Sequence, residues 1–165
     1  MRVLVISPDC TLEEYLKREL ASSEFEVVGT RPGWGFVETA RRERVPIAVI
    51  DRADERREAA SLELALLRDA RPDARVIVLS AVPTPEDAGL VEQGVFFYLS
   101  ASPPVRLPDV IRAAARSIRD GVALLEELGA LELDRTAQDR RLTCLGRQLV
   151  KLPVDPRMAR MVVQA

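Results

Sequence analysis

The chain has 165 residues, of which 47% are hydrophobic and 30% are charged, and this composition fits a globular protein with one full domain and a short appendage. The formal net charge of −2 provides no bulk attraction to nucleic acid or to an anionic membrane. The absence of histidine excludes histidine acid–base catalysis and removes the commonest zinc ligand. No apolar run is long enough to span a bilayer, and the N-terminus lacks a signal-peptide pattern. Cys10 and Cys144 do not make a disulfide framework, and we therefore expect a cytoplasmic protein.

Apolar runs of strand length alternate with segments of helical period through most of the sequence. The predicted strands are residues 3–6, 25–28, 47–50, 76–79 and 95–99. Thr11 and Glu14 predict a capping box at the start of the first helix, and the third helix carries Leu62, Ala65, Leu66 and Ala70. Strands that are apolar along their whole length are typical of a parallel sheet covered by helices on both faces. The alternation predicts a right-handed, doubly wound α/β fold with five strands.

The C-terminal third begins with a long helical pattern that starts near Leu107 and extends to about Leu133. We predict a first domain over residues 1–120, a helical linker or dimer stalk over 121–135, and a tail over 136–165. The stalk candidates are four apolar residues that either pack against a second copy of the chain or fold back on their own domain, namely Ile118, Val122, Leu125 and Leu128. In the tail, residues 142–152 predict a hairpin around Leu145 and Gly146. We interpret the tail as the start of an output domain that continues past Ala165.

Polar residues follow the predicted strands at the edge where ligands bind in open parallel sheets. Ser7, Pro8 and Asp9 follow the first strand, Asp51 the third, and Ser80 the fourth. Because a single aspartate at a strand end is more often a loop residue or a helix cap than a nucleophile, Asp51 gains significance only from its place in this ordered set.

Four ordered motifs carry a resemblance to a known family. The motifs are VLVISPD at residues 3–9, AVID at 48–51, VIVLSA at 76–81 and GVFFYL at 94–99. Together they resemble the receiver (CheY-like) domains of bacterial response regulators over roughly residues 1–120. The resemblance implies a flavodoxin-like topology with strand order 2-1-3-4-5. It also implies that Asp51 is the phosphoacceptor, that Ser80 contacts a phosphoryl oxygen, and that Tyr98 is the aromatic residue that changes rotamer on activation.

The chain departs from the receiver pattern where that family holds its cation. The family places an acidic pair after the first strand, where this chain has Ser7 and Pro8, and a lysine after the fifth strand, where it has Ala101. Proline offers no ligand atom and a serine hydroxyl is a poor substitute for an anionic oxygen, while Asp9 lies one position further along. We therefore expect an atypical (pseudo-receiver) member with weak or absent Mg²⁺ binding and no other cofactor.

These features predict a non-enzymatic regulatory domain of a two-component phosphorelay. It would control an attached transcriptional or other output domain through dimerisation rather than through ordinary phosphorylation. The expected partners are a second copy of the chain and a histidine kinase or other signalling protein; nucleic acid would be contacted only through a further output domain. Two alternatives stay open, a stand-alone protein–protein adaptor and a flavodoxin-like flavin or nucleotide binder. The loop of residues 7–11 has no glycine to admit a pyrophosphate, which argues against the second.

Overall fold

Five parallel strands form the central sheet of the computed structural model, which describes residues 1–21, 24–52, 57–80, 90, 94–100, 106–134, 139–151 and 155–164. The strands are β1 (Arg2–Ile6), β2 (Glu26–Thr30), β3 (Ile47–Arg52), β4 (Arg75–Ser80) and β5 (Phe97–Ser100). Their spatial order is β2-β1-β3-β4-β5, and every neighbouring pair is parallel. The predicted doubly wound fold is confirmed.

The helices that accompany the sheet are α1 (Thr11–Glu19), α2 (Gly35–Arg42), α3 (Arg57–Ala70) and α4 (Leu107–Glu127). One core cluster joins alternate residues of the strands, including Ile50 and Val78, to Phe36 of α2 and to Leu64 and Leu67 of α3. Each of these large apolar side chains contributes roughly 1.5–3 kcal/mol when it is removed from water. The short helical pattern of residues 85–93, between the fourth and fifth predicted strands, also predicts a helix, but apart from Leu90 these residues lie outside the described ones.

One local prediction for the helices is wrong, and the apolar stripe noted in the third helix is only partly buried, with Leu66 packed against the core. The capping box is absent, because Cys10 is the N-cap of α1 and makes no side-chain cap, while Asp9 Oδ1 accepts the Thr11 backbone N–H at 2.8 Å. In α3, Leu62 is 58% exposed, whereas Leu64 and Leu67 are buried. One apolar stripe of this helix runs through Leu62 and Leu66 and another through Leu64 and Leu67, and both have helical spacing. Packing against α2 and the sheet decides which stripe is buried, and the sequence of the helix alone does not reveal that packing.

The chain divides into an N-terminal unit, Met1–Ala115, and a C-terminal unit, Arg116–Ala165. In the latter, α4 ends at Glu127 rather than near Leu133 because Gly129 adopts a left-handed conformation with φ of 69°. Residues beyond it form an antiparallel hairpin of β6 (Leu131–Asp134) and β7 (Asp139–Leu142). The predicted domain boundaries stay a prediction.

A helix replaces the hairpin that was predicted over residues 142–152. Helix α5 spans Cys144–Leu149, and the Thr143 side chain caps it by accepting the Gly146 N–H at 3.0 Å. Helix α6 spans Pro156–Gln164. The hairpin interpretation is wrong because Gly146 serves close packing inside a helix: a Cβ at this position would overlap the Ala130 carbonyl.

The C-terminal unit has a small core of its own. Ala130, Leu149 and Ala159 are buried, and partly buried apolar side chains pack against them, namely Leu125, Leu145 and Val163. Leu125, one of the four stalk candidates, therefore contacts its own chain. Ile118, Val122 and Leu128 are half-buried.

Both cysteines are free and exposed. Among the described residues, no helix combines the length and the hydropathy that a membrane crossing requires.

Candidate functional site

Ser7 and Asp51 meet at the carboxyl edge of the sheet, between the two strands where the strand order reverses. The register of β1 and β3 pairs Val5 with Val49 and Ile6 with Ile50, so the next position on each strand brings Ser7 opposite Asp51. Ser7 Oγ donates a hydrogen bond to Asp51 Oδ2 at 2.8 Å. Ser7 is only 3% exposed, while Asp51 is half-buried. The residue that replaces an expected cation ligand is thus hydrogen-bonded to the phosphoacceptor candidate.

Pro8 and Asp9 follow Ser7 in the loop between β1 and α1. Pro8 is exposed and has no ligand atom. Asp9 is exposed as well, and one of its carboxylate oxygens accepts the Thr11 N–H. Among the residues that the structure describes, no group of three or more Cys, Asp or Glu side chains is placed to hold a metal ion. Mg²⁺ prefers six oxygen ligands with carboxylates among them, and the weak or absent Mg²⁺ binding expected from the sequence stays a prediction.

Ser80 lies on the neighbouring strand at the same edge. The register pairs Asp51 with Leu79 and pairs Ser80 with Arg52, so Ser80 is one position further along than Asp51. Because side chains alternate between the faces of a sheet, Ser80 shares the face of Val78 and Asp51 shares that of Leu79. Ser80 is buried. Its role as a phosphoryl contact stays a prediction.

Tyr98 occupies the face of the sheet that α2 and α3 cover. It pairs with Val78 in the sheet and is half-buried against the core cluster. Its role as a switch residue also stays a prediction. Ala101, at the expected lysine position, lies outside the described residues, as do residues 53–56 of the loop after β3.

A cavity of about 410 Å³ opens beside this edge, next to the β1–α1 loop. Its polar lining includes Ser7 and Asp9, together with three residues that the sequence reasoning missed, Glu13, Thr30 and Arg31. Gly29 makes the arrangement possible, since a Cβ there would overlap the Glu13 carboxylate. Glu13 in turn pairs with Lys17 at 2.5 Å. The alternating pattern of a strand does not by itself predict that a glycine is needed at position 29.

Glu63 is a second residue that the sequence reasoning missed. This carboxyl group lies on α3 and is 8% exposed. Burial raises the pKa of Glu63, and the nearby positive charge of Arg52, at the end of β3, offsets part of that rise. A buried carboxyl group thus lies close to the strand end that carries Asp51. The apolar stripe of Leu62, Ala65 and Leu66 contained no signal for the burial of Glu63, which adjoins the buried Leu64.

Structural comparisons show the class of fold. A response regulator of Burkholderia pseudomallei, solved with a phosphorylated aspartic acid, a calcium ion and citrate, is 20% identical and has a TM-score of 0.58, over 99% of this chain and 92% of that one. A Burkholderia multivorans response regulator is 21% identical, with a TM-score of 0.53 over 72% of this chain and 94% of that one. The response regulator domain of Thermotoga maritima CheB is 17% identical, with a TM-score of 0.50 over 73% and 92%. The chain therefore has the fold of response-regulator receiver domains.

Sequence comparisons find relatives of another kind, two RNA helicases. The chain matches no protein-family model. It is 55% identical over 67 residues to the ATP-dependent RNA helicase HrpA of Escherichia coli and 51% identical over 69 residues to the homologue of that helicase in Haemophilus influenzae. Each match covers 41% of this chain but only 5% of the helicase. The chain thus shares one short segment with proteins that are many times longer.

Proposed function

We propose that the N-terminal unit is a receiver-type regulatory module of a signal-transduction protein, and that its switching does not use Mg²⁺-dependent phosphorylation of Asp51. The fold supports the class of module. The observation that carries the atypical mechanism is the 2.8 Å hydrogen bond from Ser7 Oγ to Asp51 Oδ2.

Transfer of a phosphoryl group to a carboxylate requires positive charge beside the transferred oxygens, and receivers commonly supply it as a divalent cation. A serine hydroxyl provides one neutral hydrogen bond and no charge. With Pro8 and Ala101 at the other two positions, a phosphoaspartate at Asp51 would lack both the cation and the lysine. Asp51 then serves as a hydrogen-bonded structural carboxylate, and the module responds to a binding partner.

Regulation by dimerisation is the output that we propose for this module. Ile118 and Val122 on α4 and Leu128 just after it are half-buried, which leaves apolar surface for a second copy of the chain. A histidine kinase or another signalling protein is the proposed input, and an attached transcriptional or other domain is the proposed target. A stand-alone adaptor is the alternative. Light scattering of the full chain tests dimerisation: a monomer at every concentration, unchanged by Val122→Glu, would contradict it.

The phosphorylation proposal is tested by intact-mass spectrometry after incubation with acetyl phosphate and MgCl₂. The wild-type chain and Asp51→Asn should give identical spectra with no added phosphoryl group. A response regulator with an intact acidic pair, treated in parallel, verifies the reagent. A phosphoryl adduct on the wild-type chain that Asp51→Asn abolishes would contradict the proposal.

We also infer that the helicase-like segment includes the C-terminal unit and gives the chain an RNA-associated role. One response regulator covers 99% of this chain, but two others cover only 72–73% of it, about the share that the N-terminal unit occupies. The C-terminal unit also differs in charge, with nine Arg or Lys and seven Asp or Glu, against fifteen and nineteen in the N-terminal unit. The test is fluorescence polarisation of the full chain with a labelled single-stranded RNA of mixed sequence, and the absence of saturable binding at low salt would refute the role.

A further inference from the structure

Positive charge is concentrated at the end of the C-terminal unit. Residues 140–165 contain six Arg or Lys and a single acidic residue, Asp155. A segment with this imbalance attracts polyanions. Part of the charge is neutralised within the unit, because Arg140 pairs with Glu126 at 2.6 Å and Arg141 lies opposite Glu132 in the hairpin.

Arg147 and Lys151 differ from Arg140 and Arg141. Backbone bonds from Arg147 N to Thr143 O, from Val150 N to Gly146 O and from Lys151 N to Gln148 O continue the helical turns of α5 to Lys151. Residues four apart on such turns lie on the same face. Both side chains are exposed, and within the described ranges no acidic side chain forms an ion pair with either.

The neighbouring strand fixes the position of the Arg147 guanidinium. Arg147 Nη1 donates to the Leu142 backbone O, at the end of β7, at 2.8 Å. A guanidinium group has five N–H donors, so this bond orients it and leaves the others to bind an anion. Two like charges four residues apart repel each other on a helix surface, and a bound phosphate would relieve this repulsion.

We propose that Arg147 and Lys151 form a surface that binds the phosphate backbone of single-stranded RNA, an inference that rests on the RNA-associated role proposed above. RNA is favoured over other polyanions because the sequence relatives are RNA helicases. Residues 116–165 contain no Phe, Trp or Tyr, so base stacking on aromatic rings is absent from this surface. Binding here depends on backbone charge, and it is therefore indifferent to base sequence and sensitive to salt.

The test measures polarisation of a fluorescein-labelled single-stranded RNA with the full chain over a series of KCl concentrations. Each lost phosphate contact lowers the slope of log K against log salt by about 0.7 and weakens binding about 5-fold near 0.1 M salt. Arg147→Gln with Lys151→Gln should therefore weaken binding about 25-fold and reduce the slope by about 1.4. The charge-preserving variant Arg147→Lys with Lys151→Arg exchanges the two cations and keeps both charges, so its affinity should stay within about 3-fold of the wild-type value.

The matched control is Lys17→Gln with Arg18→Gln, which removes the same charge from exposed positions of α1 and should leave affinity nearly unchanged. If the wild-type chain binds no RNA, the proposed RNA role fails and this surface fails with it. If the wild-type chain binds but the Gln variant and the control lose equally little affinity, only the assignment to Arg147 and Lys151 is overturned. Circular dichroism of each variant shows whether a loss of affinity results from unfolding. Equal loss of affinity in the charge-preserving variant and the Gln variant would overturn the electrostatic role.

Discussion

The hydrogen bond between Ser7 and Asp51 makes a quantitative prediction about stability. The change is Ser7→Ala, which removes one hydroxyl from a position that is 3% exposed. Hydrogen bonds to charged groups contribute about 1.5–3 kcal/mol, and a buried group that loses its partner incurs a desolvation cost of similar size. Because Asp51 is half-buried and water reaches part of its carboxylate, we expect the free energy of unfolding to fall by about 2 kcal/mol.

Urea denaturation followed by circular dichroism measures this loss, and a double-mutant cycle assigns it to the pair. The cycle combines Ser7→Ala with Asp51→Ala and should give a coupling energy of about 1–2 kcal/mol. Ser117→Ala, at a half-buried serine of α4, controls for the loss of a hydroxyl elsewhere and should cost less than about 1 kcal/mol. A coupling energy near zero would show that the two side chains do not stabilise each other, and the reasoning about Asp51 would be refuted.

Two further predictions concern packing and burial. Gly146→Ala should destabilise the C-terminal unit by about 1–3 kcal/mol in urea denaturation, because its Cβ would overlap the Ala130 carbonyl; Gly121→Ala, in the exposed interior of α4 with open space around it, should stabilise by about 0.5–1 kcal/mol. Equal effects at the two positions would refute the close approach. Burial raises the pKa of Glu63 in the folded state, so the fold favours the protonated carboxyl group and loses stability as the pH increases through that pKa. Glu63→Gln removes this loss, and the variant should therefore raise the melting temperature more at neutral pH than at acidic pH. The control is the exposed Glu38→Gln on α2, and a gain from Glu63→Gln that is the same at acidic and neutral pH would contradict the assignment.

The strands of the sheet were predictable because each is a short apolar run bounded by polar residues, and burial on both faces requires such runs in a parallel sheet. The C-terminal unit was misread for a physical reason. Gly146 was interpreted as a turn residue, yet it lies inside α5 where only a hydrogen atom fits against Ala130. Gly129 falls inside the helical pattern that was predicted to extend to about Leu133, although its positive φ ends α4 and leads into the β6–β7 hairpin.

The candidate site was partly predictable. The strand pattern indicated that Ser7 and Asp51 follow neighbouring strand ends, and the register then brings them opposite each other. The burial of Glu63 was not predictable, because it depends on which of two overlapping stripes of α3 faces the sheet. The Glu13 carboxylate beside Gly29 was equally hidden, since it results from packing between residues that lie far apart in sequence.

The most direct test of the central claim is a titration of the isotope-labelled chain with MgCl₂, observed through the backbone amide resonances of Ser7, Asp51 and Arg52. The account predicts only small, linear shifts that match those of a KCl titration at equal ionic strength, because a serine hydroxyl and a proline replace the cation ligands. Saturable, magnesium-specific shifts centred on Asp51, abolished by Asp51→Asn, would contradict it.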